Sequence, residues 1–386
     1  MTLPRVCIAT GDYYRLGETF VNRHIAEIFG GSVGVITGRY HGENPLDKPV
    51  FERRQRSGGI GALLQGLLWY IPYNTIKHGT SRLPYGQAKE DLIAFLQEHR
   101  VEVILAEFGT QALALAPLAN ELNIPIFTYF RGTDASKHIQ RERIVKAYNK
   151  MMPRLSGVFS VSQFLLDNLA RHGVDVNPNA HVVPSGVDIR RFVPGEKRPG
   201  SFLAVGRFVE KKAPQITLRA FAKAAQNHPE ARLDFIGSGP LLEECQKLAA
   251  DMGVANQVTF HGQQPHEYVR QHLLTTEVFL QHSITAADGN TEGLPTAIQE
   301  ALACGCITIS TRHAGIPEAV EHGVNGYLVE EWDEDGFGRQ IAAVLDQADR
   351  SAMAAAARQT AEDKFDNDKG LARVERIILE TIGRQA

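Results

Sequence analysis

The chain has 386 residues, of which 43% are hydrophobic and 22% are charged, and its formal net charge is −3. This length exceeds what one hydrophobic core usually serves, so we expect two α/β domains. No run of about 18 apolar residues occurs, so we expect no membrane span. The N-terminal residues lack the charged and apolar regions of a signal peptide, so we expect none and expect a cytoplasmic protein. The four cysteines are expected to be reduced core thiols.

Charge is distributed unevenly along the chain. Through Arg191 there are 22 Lys and Arg against 17 Asp and Glu, a net charge of +5, and the remainder has 19 against 27, a net charge of −8. A basic first half suggests an anionic partner, such as a phospholipid surface or a pyrophosphate-linked acceptor. Uneven charge on a solvated surface is the alternative.

In chain order, short apolar runs alternate with helical patterns, which is typical of parallel sheets built from βαβ units. Six strands are predicted for a first sheet, at Val6–Thr10, Ser32–Thr37, Val101–Phe108, Ile124–Phe130, Gly157–Ser162 and His181–Pro184. The polar stretch 188–201 then predicts a domain boundary. Six further strands follow, at Phe202–Gly206, Arg232–Gly237, Gln257–Gly262, Val278–His282, Cys306–Thr311 and Gly326–Val329.

The predicted fold is therefore α/β, with two Rossmann-like domains built on parallel sheets. The segments Gln111–Leu122, Pro214–Gln226 and Leu241–Met252 have apolar residues at helical spacing and are predicted to cover the sheets. We place the first domain at residues 1–190 and the second at 198–365. The C-terminal helix, 366–386, is expected to pack back on the first domain.

A basic and then apolar stretch lies within the first domain. It starts at Arg53 and continues to Tyr73 with several leucines and Trp69. It is either an amphipathic element resting on an anionic membrane or a core helix with a basic lead-in.

Three strand-to-helix junctions of the second domain have the residue types that a nucleotide diphosphate needs. Ligands of open parallel sheets sit at the carboxyl ends of strands, which is where these junctions fall. In the first junction, Arg207 and Lys212 can neutralise two phosphates without a metal. In the second, Gly237 and Gly239 let the backbone approach a ring or phosphate closely, although an ordinary tight turn explains them equally.

The third junction, Glu292-Gly293-Leu294-Pro295-Thr296 followed by Glu300, is the most informative. Pro295 suits the first position of a helix, so the amides of the first turn are expected to point at an anion. Glu292 can accept hydrogen bonds from sugar hydroxyls, and Glu300 from both ribose hydroxyls. The alternative is that Glu292 caps the helix and Glu300 is a surface charge.

The three junctions, together with His313-Ala314-Gly315-Ile316-Pro317-Glu318 and Gly323-Val324-Asn325-Gly326, resemble the retaining glycosyltransferases of family 4, which have the GT-B fold. That fold has two Rossmann-like domains whose sheets face a central cleft. The resemblance implies that Arg207 and Lys212 hold the donor diphosphate, and that Glu292 and Glu300 bind the donor sugar and ribose. It implies that Gly237 and Gly239 line the nucleotide pocket, with His261 and Gly262 beside the base and Gly293, Leu294, Pro295 and Thr296 also at the donor.

In the first domain the resemblance implies a sugar and acceptor side. Gly17 and Glu18 belong to the loop after the first strand, where relatives commonly have paired glycines. Arg131, in Arg131-Gly132-Thr133-Asp134, stands where relatives have a histidine. An arginine there cannot act as a base, but it can bind an anionic sugar or a phosphate. Asp134 completes this set of expected residues.

The resemblance implies transfer of a sugar from a nucleotide-diphosphate sugar, UDP-linked by family frequency, to an acceptor glycan or lipid-linked glycan, with retention of configuration. No cofactor and no metal are expected, because both Asp-x-Asp strings, 333–335 and 366–368, stand in helix-opening contexts that favour capping. Contact with the inner face of an anionic membrane is one expectation for partners, and nucleic acid is not. A sugar-nucleotide 2-epimerase and a non-catalytic sugar-nucleotide-binding protein are the alternatives.

Overall fold

The computed structural model describes residues 3–15, 17–53, 66–347 and 349–384. It divides into two compact units, one formed by Met1–Val183 with Leu371–Ala386 and the other by Pro184–Gly370. The first unit thus ends before residue 190, and the second continues past 365. The expected class, two parallel-sheet α/β domains, is confirmed.

The first unit contains a seven-stranded, all-parallel sheet in the order β3-β2-β1-β4-β5-β6-β7. Each of the six predicted strands is present. The additional strand, β3, has only three half-buried residues and so lacks the apolar run that identifies the others. The strands are β1 (Val6–Asp12), β2 (Gly34–Arg39), β3 (Val50–Glu52), β4 (Val103–Glu107), β5 (Ile126–Phe130), β6 (Gly157–Ser160) and β7 (Ala180–Val182).

Helices surround this sheet. Gly66–Tyr70 forms a π-helical turn that leads into α2, and residues 54–65 of the basic and apolar stretch noted in the sequence lie outside the described residues. The segment α4, predicted at 111–122, has nine buried residues and is the most apolar of these helices. The helices are α1 (Thr19–Glu27), α2 (Ile71–His78), α3 (Gln87–Glu98), α4 (Gly109–Glu121), α5 (Glu142–Met151) and α6 (Gln163–Arg171).

The second unit repeats the plan with a six-stranded parallel sheet in the order β10-β9-β8-β11-β12-β13. Phe202, Phe221 and Phe337 lie in its core. Its strands are β8 (Arg198–Val205), β9 (Arg232–Ile236), β10 (Val258–Phe260), β11 (Thr276–Gln281), β12 (Ile307–Thr311) and β13 (Gly326–Val329). Its helices are α7 (Pro214–Ala225), α8 (Leu242–Asp251), α9 (His266–Thr275), α10 (Thr296–Ala303), α11 (Glu334–Asp346) and α12 (Ser351–Lys364).

The last helix, α13 (Asn367–Thr381), begins in the second unit and ends in the first. Both Asp-x-Asp strings open helices, as expected. Asp333 Oδ1 accepts a hydrogen bond from Gly336 N at 2.7 Å at the start of α11, and Asp366 Oδ1 accepts from Asp368 N at 2.9 Å at the start of α13. The four cysteines are free and buried, also as expected. Across the described ranges, every helix is too short or too polar to cross a bilayer.

In both sheets the strand order reverses beside the unit's first strand. In the second unit β9 lies on one side of β8 and β11 on the other, so the chain continues from β8 and from β11 to strands on opposite sides of this pair. A crevice at such a switch point is where open parallel sheets bind ligands. The loop after β8 (206–213), the loop after β11 (282–295) and the loop after β12 (312–315) meet at this edge.

Candidate active site

Two lysines and a glutamate form a buried cluster at the switch point of the second unit. Lys212 Nζ, on the loop after β8, lies 3.2 Å from Glu292 Oε1, on the loop after β11. Lys211 Nζ lies 3.4 Å from Glu292 Oε2 and also donates a hydrogen bond to the Thr291 carbonyl at 3.1 Å. Sequence reasoning found Lys212 and Glu292 but missed Lys211, since two adjacent lysines on a loop do not reveal which of them turns inward.

The charge of Glu292 is set by this cluster. Burial alone would raise the pKa of its carboxyl, but Lys212 and Lys211 outweigh burial and lower that pKa to about 2. Burial in turn lowers the pKa of Lys212, against the opposing effect of Glu292. At neutral pH Glu292 is therefore an ionised acceptor of hydrogen bonds, and it is poorly suited to donate or collect a proton.

A histidine on the loop after β12 supports the backbone of Glu292. His313 is 1% exposed, and its Nε2 accepts a hydrogen bond from Glu292 N at 3.1 Å. Its Nδ1 lies 2.6 Å from Glu331 Oε1, and Glu331 also accepts from Thr285 N at 2.7 Å. These contacts hold the ring as the Nδ1–H tautomer. The histidine stands in the quoted motif 313–318, which is the signal that sequence reasoning left unused.

Glycines bring the loops after β8 and β9 into close contact. Gly237 has φ +149°, and a Cβ there would lie 1.9 Å from the Gly206 carbonyl oxygen. Gly239 has φ +154°, and a Cβ there would lie 2.5 Å from the Phe208 carbonyl oxygen. A side chain at either position would force these loops apart, so both predicted glycines have a structural requirement in addition to their expected place at the nucleotide.

Helix α10 starts one residue later than predicted. Pro295 is the residue before the helix, with ψ 126°, and Thr296 is its first residue. Proline cannot donate a backbone hydrogen bond in either place, so the pattern fits both registers. Gly293 and Leu294 precede it, and the Gly293 carbonyl accepts a hydrogen bond from Gly315 N at 3.0 Å, which joins the loops after β11 and β12.

Glu300 lies within α10 and is 8% exposed, so it is not a surface charge. Its Oε1 lies 2.8 Å from Nε2 of His266, at the start of α9. The hydrogen bond to Glu300 is the main cause of a raised pKa at His266, and burial opposes it. Sequence reasoning missed His266 because it comes from another helix.

His261 and Gly262 follow β10, where they were expected beside a nucleotide base. The Gly262 carbonyl accepts a hydrogen bond from Gly237 N at 2.8 Å. His261 Nε2 lies 2.7 Å from Asp234 Oδ1, and its Nδ1 lies 2.9 Å from the Tyr268 hydroxyl. Asp234, His261 and His272 bring possible metal-ligand atoms within 4.8 Å of one another, but hydrogen bonds already occupy both nitrogens of His261.

In the first unit the expected residues follow two strands, β1 and β5, of which β1 lies at the switch point. Gly17 and Glu18 follow β1, and Leu16 lies outside the described residues. Glu18 directly precedes α1, lies 3.4 Å from Arg15 Nη1, and has a pKa that burial raises. A Cβ at Gly17 would meet nothing within 4 Å, so packing does not require glycine there.

The side chains of Arg131 and Asp134 form hydrogen bonds with other residues of the first unit. The Arg131 guanidinium donates to Glu107 Oε2 through Nε at 2.9 Å and Nη2 at 2.8 Å, and its Cζ lies 3.7 Å from the centroid of the Tyr129 ring. His24 Nδ1 lies 2.5 Å from the other oxygen of Glu107. The guanidinium is thus engaged in a buried ion pair with Glu107, with which an anionic ligand would have to compete, and the anion-binding role of Arg131 stays a prediction.

Asp134 organises its own loop. Its carboxylate accepts hydrogen bonds from the backbone amides of Gly109 at 2.9 Å, Arg131 at 3.1 Å and Gly132 at 3.0 Å. Sequence reasoning missed Glu107 and His24, which join Arg131 in this buried group, because they come from β4 and α1.

Two family descriptions match successive parts of the chain. "Glycosyltransferase Family 4" matches residues 33–191 and "Glycosyl transferases group 1" matches residues 188–360. Together they cover the first sheet from β2 onward, the whole second sheet and the three junctions of the second unit, whereas β1 and the loop with Gly17 and Glu18 precede the matched residues.

Among curated proteins, the chain is 30% identical over 277 residues to the putative colanic acid biosynthesis glycosyltransferase WcaL of Escherichia coli, covering 69% of this chain and 67% of that protein. It is 30% identical over 276 residues to the amylovoran biosynthesis glycosyltransferase AmsK of Erwinia amylovora, covering 68% and 66%. The chain thus spans about two thirds of the length of these relatives.

Solved structures agree in fold. Anabaena HepE in complex with UDP-glucose has a TM-score of 0.75 at 16% identity, covering 98% of this chain and 99% of that one. The sucrose-phosphate synthase of Thermosynechococcus elongatus has a TM-score of 0.76 at 16% identity, covering 99% of each chain. At such identity the likeness concerns the fold alone, which is of the GT-B type expected from the sequence. The family descriptions, the Escherichia coli relative and this fold agree, and the chain belongs to the family 4 glycosyltransferases.

Proposed function

We propose that this glycosyltransferase moves a sugar from a UDP-linked donor to a hydroxyl of a polysaccharide or glycoconjugate acceptor, with retention of configuration and without a metal. The observation that carries the proposal is the pairing of Glu292 with Lys211 and Lys212 at the switch point of the second sheet. Cations and an ionised acceptor stand side by side there, as a diphosphate bonded to a sugar requires.

The cations provide charge for the departing group. Lys212 is half-buried, with 17% of its side chain exposed, and Arg207 is exposed on the same loop, so packing positions the first more than the second. Both can neutralise a diphosphate, and both stabilise the charge that develops on it as the bond to the sugar breaks. The backbone amides that open α10 add a partial positive charge.

The two glutamates accept hydrogen bonds from the donor. Glu292, ionised because its pKa is about 2, accepts from hydroxyls of the transferred sugar. Glu300 uses Oε1 for His266 and has Oε2 for the ribose hydroxyls. A nucleotide sugar bridging these residues would extend along the start of α10.

The chemistry proposed is attack on the face that the diphosphate leaves. The acceptor oxygen forms a bond to the anomeric carbon, the bond from that carbon to the diphosphate oxygen breaks, and the acceptor proton moves to a departing phosphate oxygen. The low pKa of Glu292 makes it a weak base, so positioning and charge stabilisation supply the catalysis.

The acceptor and donor follow from what the similar proteins are named for. The relatives WcaL and AmsK are named for colanic acid and amylovoran biosynthesis, which favours a bacterial polysaccharide acceptor. We propose that this acceptor, free or lipid-linked, is used at the inner face of the membrane. The solved HepE structure holds UDP-glucose, whereas a mycobacterial relative is named as GDP-mannose-dependent. Uridine is our choice, and guanosine is the competitor to be tested.

The test measures binding of UDP, GDP and ADP sugars by calorimetry and thermal shift with EDTA present, since a ligand specific to the folded state raises apparent stability. One donor should bind. Glu300→Ala should weaken it about tenfold or more through lost hydrogen bonds to a charged acceptor. Lys212→Ala should lower turnover about 100-fold while affinity changes less. Lys223→Ala is the matched control, because this exposed lysine of the same unit pairs with Glu334.

Each outcome is decisive. Unchanged binding and turnover in both site variants would remove the proposed site. Conversion of the donor without an acceptor would indicate an epimerase, and binding without release of nucleotide diphosphate in the presence of lipid-linked acceptors would indicate a binding protein. Loss of activity in EDTA, restored by a divalent cation, would refute metal independence.

A further inference from the structure

The first unit exposes large apolar side chains within one short stretch. In the described part of the chain, Leu68, Trp69, Tyr73 and Ile76 are four of the eight exposed large hydrophobic residues. Trp69 is 73% exposed and Ile76 is 76% exposed. Single exposed apolar residues need no explanation, but four within nine positions form a patch of the kind that marks an interaction surface.

Three of these residues share one face of a helical segment. Trp69, in the turn that leads into α2, and Tyr73 and Ile76, in α2, have the spacing i, i+4 and i+7, which aligns side chains on one face. Asn74, between them in sequence, is buried. This row is called the apolar stripe below.

A row of cations lies on the neighbouring helix. Arg143, Lys146 and Lys150 of α5 are exposed and spaced i, i+3 and i+7, and they form the basic stripe. Lys150 Nζ donates a hydrogen bond to the Ile76 carbonyl, so the two stripes are adjacent at their C-terminal ends. Packing is tight at this point, because a Cβ at Gly79 would lie 2.7 Å from Ala147 Cα.

The charged residues in the segments around both stripes are basic with one exception. Residues 66–86 include Lys77 and Arg82 and no Asp or Glu, and residues 137–154 include six Lys and Arg with Glu142 as their one acidic residue. The pKa of His78 responds to the positive charge of these residues. Burial is the main cause that lowers its pKa to about 4, and Arg154, Lys77 and Lys150 lower it further.

We propose that this surface, the apolar stripe with the basic stripe beside it, docks on an anionic phospholipid bilayer. Trp and Tyr suit the boundary between headgroups and acyl chains, and Ile76 and Leu68 add apolar area to be buried there. The cations attract anionic headgroups over about 8–10 Å at ordinary ionic strength. Glu142 is 2.7 Å from Lys146 and offsets only part of the positive charge.

The experiment uses the full chain and vesicles of phosphatidylcholine, with or without phosphatidylglycerol. The chain should sediment with the anionic vesicles only, and salt should weaken the binding. Trp69→Ser/Ile76→Ser should reduce partitioning at least about tenfold, from lost apolar burial. Arg143→Gln/Lys146→Gln should reduce it on anionic vesicles. The matched control is Trp332→Ser, which removes an exposed tryptophan, 61% exposed, from the second unit.

Insertion has a direct spectroscopic signal. The chain has two tryptophans, so Trp332→Phe leaves Trp69 as the sole reporter, and its emission should shift to the blue on anionic vesicles. Turnover with a water-soluble acceptor should be unchanged in the stripe variants, which separates this proposal from the proposed function. The proposal would be overturned if the chain bound both vesicle types equally or if the stripe variants bound as the wild type does. A stripe variant with an altered oligomeric state would also overturn it, because that result would indicate a protein interface.

Discussion

At the scale of residues, the two glutamates of the proposed donor site differ in the side chains that contact them. Glu292 is held by two lysines in a buried cluster, so its negative charge is neutralised before any ligand arrives. Glu300 instead faces His266, whose side chain is 42% exposed and carries charge only when protonated. Glu292 stays ionised above its pKa of about 2, whereas the contact between Glu300 and His266 is sensitive to pH.

That sensitivity gives a prediction for stability. The folded state raises the pKa of His266 above its ordinary value of 6.5, so its stabilising contribution is complete below about pH 6.5 and is lost as pH rises through the raised value. His266→Gln should therefore destabilise the chain at pH 5.5–6.5 by about 1 kcal/mol or less, because the pair is partly exposed. The difference from wild type should fade towards pH 9.

Urea unfolding at several pH values measures this difference. His322→Gln is the control for replacing a histidine, since His322 accepts a hydrogen bond from the Leu328 amide instead of facing a carboxylate. A His266→Gln penalty that grew with pH would contradict the assigned pair.

The residues of the site that sequence reasoning identified are those within a continuous motif. Lys212, Glu292 and Glu300 stand at recognisable spacings after predicted strands. Lys211, His313 and His266 were missed because their roles depend on which elements pack together. Arg131 shows the same limit, since only the fold reveals that Glu107 neutralises it.

At the scale of elements, the sheets were predictable because buried parallel strands are apolar runs separated by helical patterns. The short β3 was not predictable, because three half-buried residues do not form an apolar run. The first residue of α10 was not predictable either, because Pro295 fits the sequence pattern both as the first helical residue and as the residue before it. What the sequence could not provide is the way adjacent loops support each other. His313, on the loop after β12, holds the backbone of the loop after β11.

Removing that support should lower activity more than stability. His313→Asn keeps a donor near the Nδ1 position and loses the acceptor for Glu292 N, whereas His313→Gln places an acceptor near the Nε2 position. We expect His313→Asn to lower kcat about 10- to 100-fold, since a misplaced group costs positioning, and His313→Gln to recover most of it. The measurement is kcat and donor KM with the donor found by the binding panel.

His282 provides the matched control. It is fully buried, and its Nε2 accepts a hydrogen bond from Trp332 N at 3.1 Å, the same kind of contact at a different place in the unit. His282→Asn should lower stability and leave kcat close to wild type. If both asparagine variants lost activity in proportion to stability, His313 would be structural and not a positioning residue.

At the scale of the molecule, two units of similar plan are connected twice by the chain, at 183–184 and within α13. The segment 371–386 belongs to the first unit through Glu375, whose Oε1 accepts from Phe29 N at 2.5 Å, and through Arg384, 2.7 Å from Glu102. The sequence predicted this return from the absence of any remaining strand after residue 334. The partners of the segment could not be predicted, because they lie more than 200 residues earlier in the chain.

Deletion of 371–386 should therefore destabilise the first unit and spare the second. Val374, Ile377 and Ile378 are each less than 10% exposed, and losing three such side chains should cost the first unit at least about 3 kcal/mol of unfolding free energy. Each unit contains one tryptophan, so urea unfolding followed by fluorescence resolves them, with Trp332→Phe reporting the first unit and Trp69→Phe the second.

Arg384→Ala, which removes only a half-exposed ion pair, should shift the first transition by less than about 1 kcal/mol. Equal shifts of both transitions after the deletion would mean that the two units unfold as one, and the assignment of 371–386 to the first unit alone would fail.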